Sequence, residues 1–199
     1  MFRGISLEHN RFRTARKMPR NLFDVSKILP ITFEKVEKYI TCKYLIEALS
    51  PIPDIKFEFL NEEKTRVHHD TYYTFTIGLT GLIKHTAHLV QDIRFEELED
   101  EEKTYKIIVE KSNEVEKSEV RVKVEDMGDK INVKVSLIQL YFKSGVLELV
   151  GRRIVINRFR AEVVKVLKKT AKKLRDGSLE PIFQKCDEEF AKEGSDQLY

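Results

Sequence analysis

Residues 144–174, SGVLELVGRRIVINRFRAEVVKVLKKTAKKL, form the only long helical pattern in the chain and decide how the rest must fold. Val155, Phe159, Val163, Val166, Thr170 and Leu174 recur at three- and four-residue steps, with Ile156, Leu167 and Ala171 beside them. Arg153, Arg160, Lys165, Lys168, Lys172 and Arg175 fall on the opposite side. The spacing predicts one apolar stripe and one solvated basic face. Asp176-Gly177 supplies a stop, because glycine tolerates the left-handed conformation just past a helix end. Nearly everything before this helix alternates as strands do. The expected fold class is α+β, a curved antiparallel sheet of about seven strands gripping one long C-terminal helix.

Working backward from the helix, Ile131, Val133, Val135 and Leu137 mark a strand, and Val120, Val122 and Val124 mark the one before it. A two-residue turn at Met127-Gly128 would set Val124 opposite Ile131. Tyr105, Ile107 and Val109 form an earlier strand. Arg66 to Gly78 and Leu82 to Glu97 both carry their apolar residues at odd positions. A two-residue loop would pair odd with even, whereas a three-residue loop, Leu79-Thr80-Gly81, pairs odd with odd. The register that follows places His69 opposite Gln91, Tyr73 opposite Ala87 and Phe75 opposite His85, all on the concave face.

At the N-terminal side, Asn21 to Leu29 alternates with Phe23, Val25 and Leu29 on one face. Thr32 is placed to cap a short helix, FEKVEKYI. A second short helix, CKYLIEALS, is stopped by Pro51 and Pro53. Ile55, Phe57 and Phe59 then give the second strand. Residues 1–18 read as a disordered basic arm, 19–176 as the folded domain, and 177–199 as a tail holding a short amphipathic helix, PIFQKCDEEFAK.

With 199 residues, one domain is expected. Lys and Arg number 36 against 33 Asp and Glu, a net charge of +3, too small to mark the whole chain as a nucleic-acid binder. The basic helix face lacks interleaved aromatics, so a solvated surface is the expectation there. Contact with a protein partner or the surface of a membrane is the alternative use. No apolar run approaches the ~20 residues that cross a bilayer, and the N-terminus lacks a signal-peptide core. The expected location is cytoplasmic. Cys42 and Cys186 show no spacing signature, so free thiols in a reducing compartment are expected.

Catalytic and metal motifs are absent. Gly78 to Gly81 is not followed by the Lys-Ser/Thr of a phosphate loop, and neither HExxH nor CxxC occurs. His68 and His69 point to opposite faces of a strand, as do His85 and His88, so neither pair chelates locally. No metal and no cofactor are expected.

The order of strand, two short helices, six strands and a long C-terminal helix resembles the helix-grip fold of the START and birch-pollen-allergen superfamily. Within it, the chain resembles relatives of the G-type subunit of carbon monoxide dehydrogenase and the polyketide cyclase/lipid-transport group. The matching segments are NLFDVSKIL, FEKVEKYI, LIEALSPIPDIKFEF and the ending SGVLELVGRRIV, together spanning roughly residues 21–175. The resemblance implies a hollow between sheet and helix that binds an apolar or amphipathic small molecule. Its expected lining includes His69, Tyr73, Phe75, His85, Leu89, Gln91, Tyr105, Ile107, Phe159 and Val163, with Phe57, Phe59, Val122 and Val133 nearby. Passive binding or transport is the leading expectation. A cyclase- or dehydratase-type enzyme using His69 or His85 is one alternative, and an accessory protein that docks a partner is the other.

Overall fold

The computed structural model describes residues 21–50, 56–77, 83–99, 103–143 and 145–196. The basic arm, the Pro51-Pro53 turn and the Leu79-Thr80-Gly81 loop lie outside these residues. Seven strands form one antiparallel sheet: β1 (Phe23–Leu29), β2 (Lys56–Phe59), β3 (Arg66–Ile77), β4 (Ile83–Glu97), β5 (Thr104–Ser112), β6 (Val115–Asp126) and β7 (Ile131–Phe142). Their order in the sheet is β1-β7-β6-β5-β4-β3-β2. All but the β1–β7 pair are neighbours in sequence, as short hairpin connections favour.

Between β1 and β2 sit helices α1 (Phe33–Tyr39) and α2 (Lys43–Leu49). The Thr32 hydroxyl caps α1 by accepting from the Lys35 amide at 3.3 Å. The sheet is followed by α3 (Val146–Val150), α4 (Arg152–Arg175) and α5 (Glu180–Asp196). The stretch from 144 to 174 is therefore two helices, not one. Gly151 separates them at φ +93°, a conformation that ends α3 and would strain any side-chain-bearing residue. Gly145 answers a different need: a Cβ there would lie 2.6 Å from Glu114 Oε2. That carboxylate accepts from the Leu147 amide at 3.1 Å and satisfies one open N–H of α3.

The β3–β4 register is the expected one, with His69 opposite Gln91, Tyr73 opposite Ala87 and Phe75 opposite His85. The β6–β7 register is not. Val124 lies opposite Val133, and Asp126 opposite Ile131. The connection is four residues long rather than two. The Met127 amide donates to Lys130 O at 2.9 Å, and Asp126 Oδ1 accepts from the Gly128 amide at 2.9 Å. Turn parity was legible in the alternation; the extra pair of loop residues was not, since adding two residues leaves every side chain on its face.

α4 buries its apolar stripe against β1 and β7, with Phe159 packing edge-on to Phe23 at 5.6 Å. The main core lies between this helix and the sheet and includes Phe23, Ile131, Leu137 and Ala171. The six basic residues expected on the outer side of α4 are all exposed.

A second, smaller core joins α1, α2 and α5. It holds Tyr39, Cys42, Leu179, Phe183 and Cys186. Cys42 and Cys186 form a disulfide, which corrects the expectation of free thiols. The two cysteines are 144 residues apart in sequence, a separation that hid the pairing. The cysteine argument for a reducing compartment falls with that expectation. Polar contacts flank the bond: the Tyr39 hydroxyl donates to Asp187 at 3.0 Å, and Lys35 meets Glu180 at 3.0 Å. Among the described residues, no helix is long and apolar enough to cross a membrane.

Candidate functional site

Between α4 and the inner face of the sheet lies a cavity of about 460 Å³. β3, β4 and β5 supply one wall, β6 and β7 the floor, and α3 and α4 the cover. Alternation along β3 sends His69, Tyr73 and Phe75 inward, while β4 contributes Leu89, Gln91 and Ile93. Phe159 and Val163 reach in from α4, and Ile107 from β5. Eight of the ten residues expected at the site therefore meet in one place.

His85 and Tyr105 do not line it. His85 is half-buried but lies four residues from Leu89 toward the hairpin, about 13 Å along the strand. Its cross-strand partner Phe75 does line the hollow, so the boundary passes between the two strands at this level. Tyr105 sits at the start of β5, near Glu97 and Glu37, and its phenol is held above the usual range by burial and those carboxylates. Phe57 and Phe59 pack on each other at 5.9 Å on edge strand β2, and Val133 is buried in the core. None of these three lines the hollow, whereas Val122 does.

Two charged lining residues escaped the sequence reading. Arg158 and Glu162 on α4 face the cavity, and Arg158 Nη2 donates to Glu162 Oε1 at 2.7 Å. Glu162 is 9% exposed. The signal for it was present: position 162 stands three residues after Phe159 and four before Val166, inside the apolar stripe. A carboxylate on such a stripe marks a buried polar group.

The polar groups are gathered in two stations. His69 and Gln91 face each other across the β3–β4 ladder. Four residues on, about 13 Å along β3, Tyr73 lies near Arg158 and Glu162. Burial pushes the Tyr73 phenol up to about 12, with Glu162 adding to the rise and Arg158 opposing it. It is a neutral hydroxyl throughout the physiological range. Outside the hollow, on the other face of the same strands, His68 pairs with Asp92 at 2.7 Å and His88 with Asp70 at 2.8 Å. No group of three metal-binding side chains comes together among the described residues.

Burial holds His69 below the ordinary imidazole range, against the opposing pull of Gln91 and Asp70. The folded chain thus keeps His69 neutral at a pH where the unfolded chain takes up a proton. That contribution to stability is present above pH about 6.5 and is lost as pH falls below it. Between about pH 7.5 and about pH 5.5, the thermal midpoint of the wild type should fall further than that of His69→Gln. Parallel curves for the two proteins would show that His69 is not desolvated.

No protein-family model matches the chain, and no curated protein matches it in sequence. Solved structures do match. A START superfamily protein from Mycobacterium smegmatis superposes with a TM-score of 0.51 at 12% identity, over 76% of this chain and 97% of its own. A conserved protein from Geobacillus kaustophilus gives 0.53 at 16% identity, over 77% and 94%. A protein from Thermus thermophilus gives 0.50 at 14% identity, over 78% and 97%. The fold is the START, or helix-grip, fold: a seven-stranded antiparallel sheet with a long C-terminal helix.

Proposed function

We propose that the protein binds an apolar or amphipathic small molecule between the sheet and α4 and holds it without transforming it. The observation that carries this reading is the hollow itself. Protein interiors pack as tightly as organic crystals and leave few voids larger than a water molecule. A space of about 460 Å³ walled mostly by Ile, Leu, Val and Phe falls in the size range of small-molecule sites. Apolar ligand surface leaving water there contributes ~25 cal/mol per Å². The two polar stations orient whatever polar groups the ligand carries.

Native mass spectrometry of freshly purified protein, compared with the denatured chain, tests the reading directly. The expected result is a mass excess that disappears on denaturation. Titration with the neutral fluorophore N-phenyl-naphthylamine gives an independent readout. Phe75→Ala, which removes a cavity wall, should weaken binding of the fluorophore by about tenfold or more. Lys168→Ala, on the exposed face of α4, should leave it unchanged. Equal losses from the two variants would remove the hollow as the binding site.

An enzyme of cyclase or dehydratase type is the competing reading, and a specific observation favours it: His69 Nδ1 is buried in the cavity wall without a hydrogen-bond partner. A neutral imidazole is the form a general base requires. His85, outside the hollow, has no part in that scheme. Turnover that vanishes in His69→Ala and survives in His85→Ala would establish it.

A further inference from the structure

A second, smaller pocket of about 220 Å³ lies beside the C-terminal end of α4. Its lining is Lys27, Ile28, Pro30, Lys130, Ala171 and Arg175. Three of these six residues are cationic and none is acidic. They come from three parts of the chain: Lys27 from edge strand β1, Lys130 from the turn before β7, and Arg175 from the last turn of α4. Leu29 pairs with Ile131 at the end of the β1–β7 ladder, which sets Lys130 just beyond the strand that carries Lys27. Lys27 shares its face of β1 with Phe23, Val25 and Leu29, which pack into the main core. Ala171, 2% exposed, joins the pocket to that same core.

These charges have no counter-charge. Among the described residues, no carboxylate forms an ion pair with Lys27, Lys130 or Arg175. Arg175 Nε donates to the Ala171 carbonyl at 3.0 Å, which leaves the rest of the guanidinium open. Asp176 follows Arg175, but its carboxylate accepts from the Ser178 amide and hydroxyl at 3.1 and 2.6 Å. Taken singly, the cations have local uses. An inward lysine guards an edge strand, and an arginine complements the negative end of a helix. Neither use calls for three unpaired cations around one pocket, where they repel one another. A bound anion removes that repulsion. A phosphate monoester suits the pocket better than a carboxylate, because it carries about −1.5 to −2 charge at pH 7 and three strong acceptor oxygens. We propose that this pocket binds a phosphate monoester through Lys27, Lys130 and Arg175. The proposal is independent of what the larger cavity holds.

The test is titration of the isotope-labelled full-length protein with phenyl phosphate, followed by amide NMR shifts. Saturable shifts are expected around Lys27, Lys130 and Arg175. Benzoate, which keeps the ring but has one charge, should bind about tenfold more weakly. Lys27→Gln and Lys130→Gln should each weaken phenyl phosphate by about tenfold. Lys168→Gln, which makes the same change in net charge on the outer face of α4, should leave it unchanged. Sedimentation with phosphatidylcholine vesicles that contain phosphatidic acid separates two sources of the monoester. Co-sedimentation that Lys27→Gln abolishes makes it a lipid headgroup, and phenyl phosphate binding without co-sedimentation makes it a soluble ester. Three results overturn the proposal: shifts no larger than those from sodium chloride at equal ionic strength, benzoate binding as tightly as phenyl phosphate, or shifts confined to the larger cavity. Equal losses in Lys27→Gln and Lys168→Gln do so too. The wild-type comparisons decide the matter even if a variant fails to fold.

Discussion

Replacing Cys42 and Cys186 together by alanine should lower stability by about 3–5 kcal/mol and the thermal midpoint by about 10 °C. The bond joins residues separated by 144 positions. In the chain-entropy account, a loop of that length releases about 5 kcal/mol of constraint on the unfolded chain when cut, and strain or residual structure reduces the yield. Both sulfurs sit in the small core that fastens α5 to α1 and α2, and both residues are 0% exposed. Cutting the bond leaves that core to Tyr39, Leu179 and Phe183 and the ion pairs at its rim. Exposed pairs such as Lys35–Glu180 contribute no more than about 1 kcal/mol. Thermal unfolding followed by circular dichroism, with and without a thiol reductant, makes the measurement. A wild-type midpoint that does not respond to reductant would show that no disulfide holds α5 in place.

The disulfide also touches the proposed function. α2 begins one residue after Cys42, and Ser50 at its far end lines the cavity. Lys169 and Lys173 of α4 donate to the Ser50 and Ala48 carbonyls at 3.1 and 3.2 Å. The end of α2, which the disulfide helps to secure, is thus also part of the cavity's surround.

Leu137→Ala should cost about 2–5 kcal/mol, the range for emptying a fully buried leucine site. Leu137 is 0% exposed and lies at the middle of β7, opposite Phe23 of β1 and Val120 of β6. Its neighbours belong to the sheet ladder, so they are held by backbone hydrogen bonds and close in on the void only partly. Chemical denaturation with an unchanged m-value and a lowered midpoint is the expected pattern. A cost below about 1 kcal/mol would mean that the site collapses freely and is not close-packed. Leu137 does not line the hollow, so fluorophore affinity in the folded variant should stay near that of the wild type. Stability and binding are separable in this way because the hollow takes up only part of the space between α4 and the sheet.

Much of this architecture was written in local pattern. Alternation at odd positions from Val67 to Phe95 specified which faces of β3 and β4 turn inward, and it brought His69, Tyr73, Phe75, Leu89 and Gln91 together before any coordinates. The stripe from Val155 to Leu174 specified the face of α4 that covers them. These features depend on periods of two and 3.6 residues, which the chain carries in every few positions. Distance along the sequence hid the rest. The partner of Cys42 depends on how α5 folds back, and the extent of the hollow depends on how the helices pack on the sheet, which left His85 and Tyr105 outside. Glu162 was legible as a carboxylate on an apolar stripe. Its burial in the cavity wall emerges only when helix and sheet are packed, because burial belongs to the assembled layers and not to either strand or helix alone.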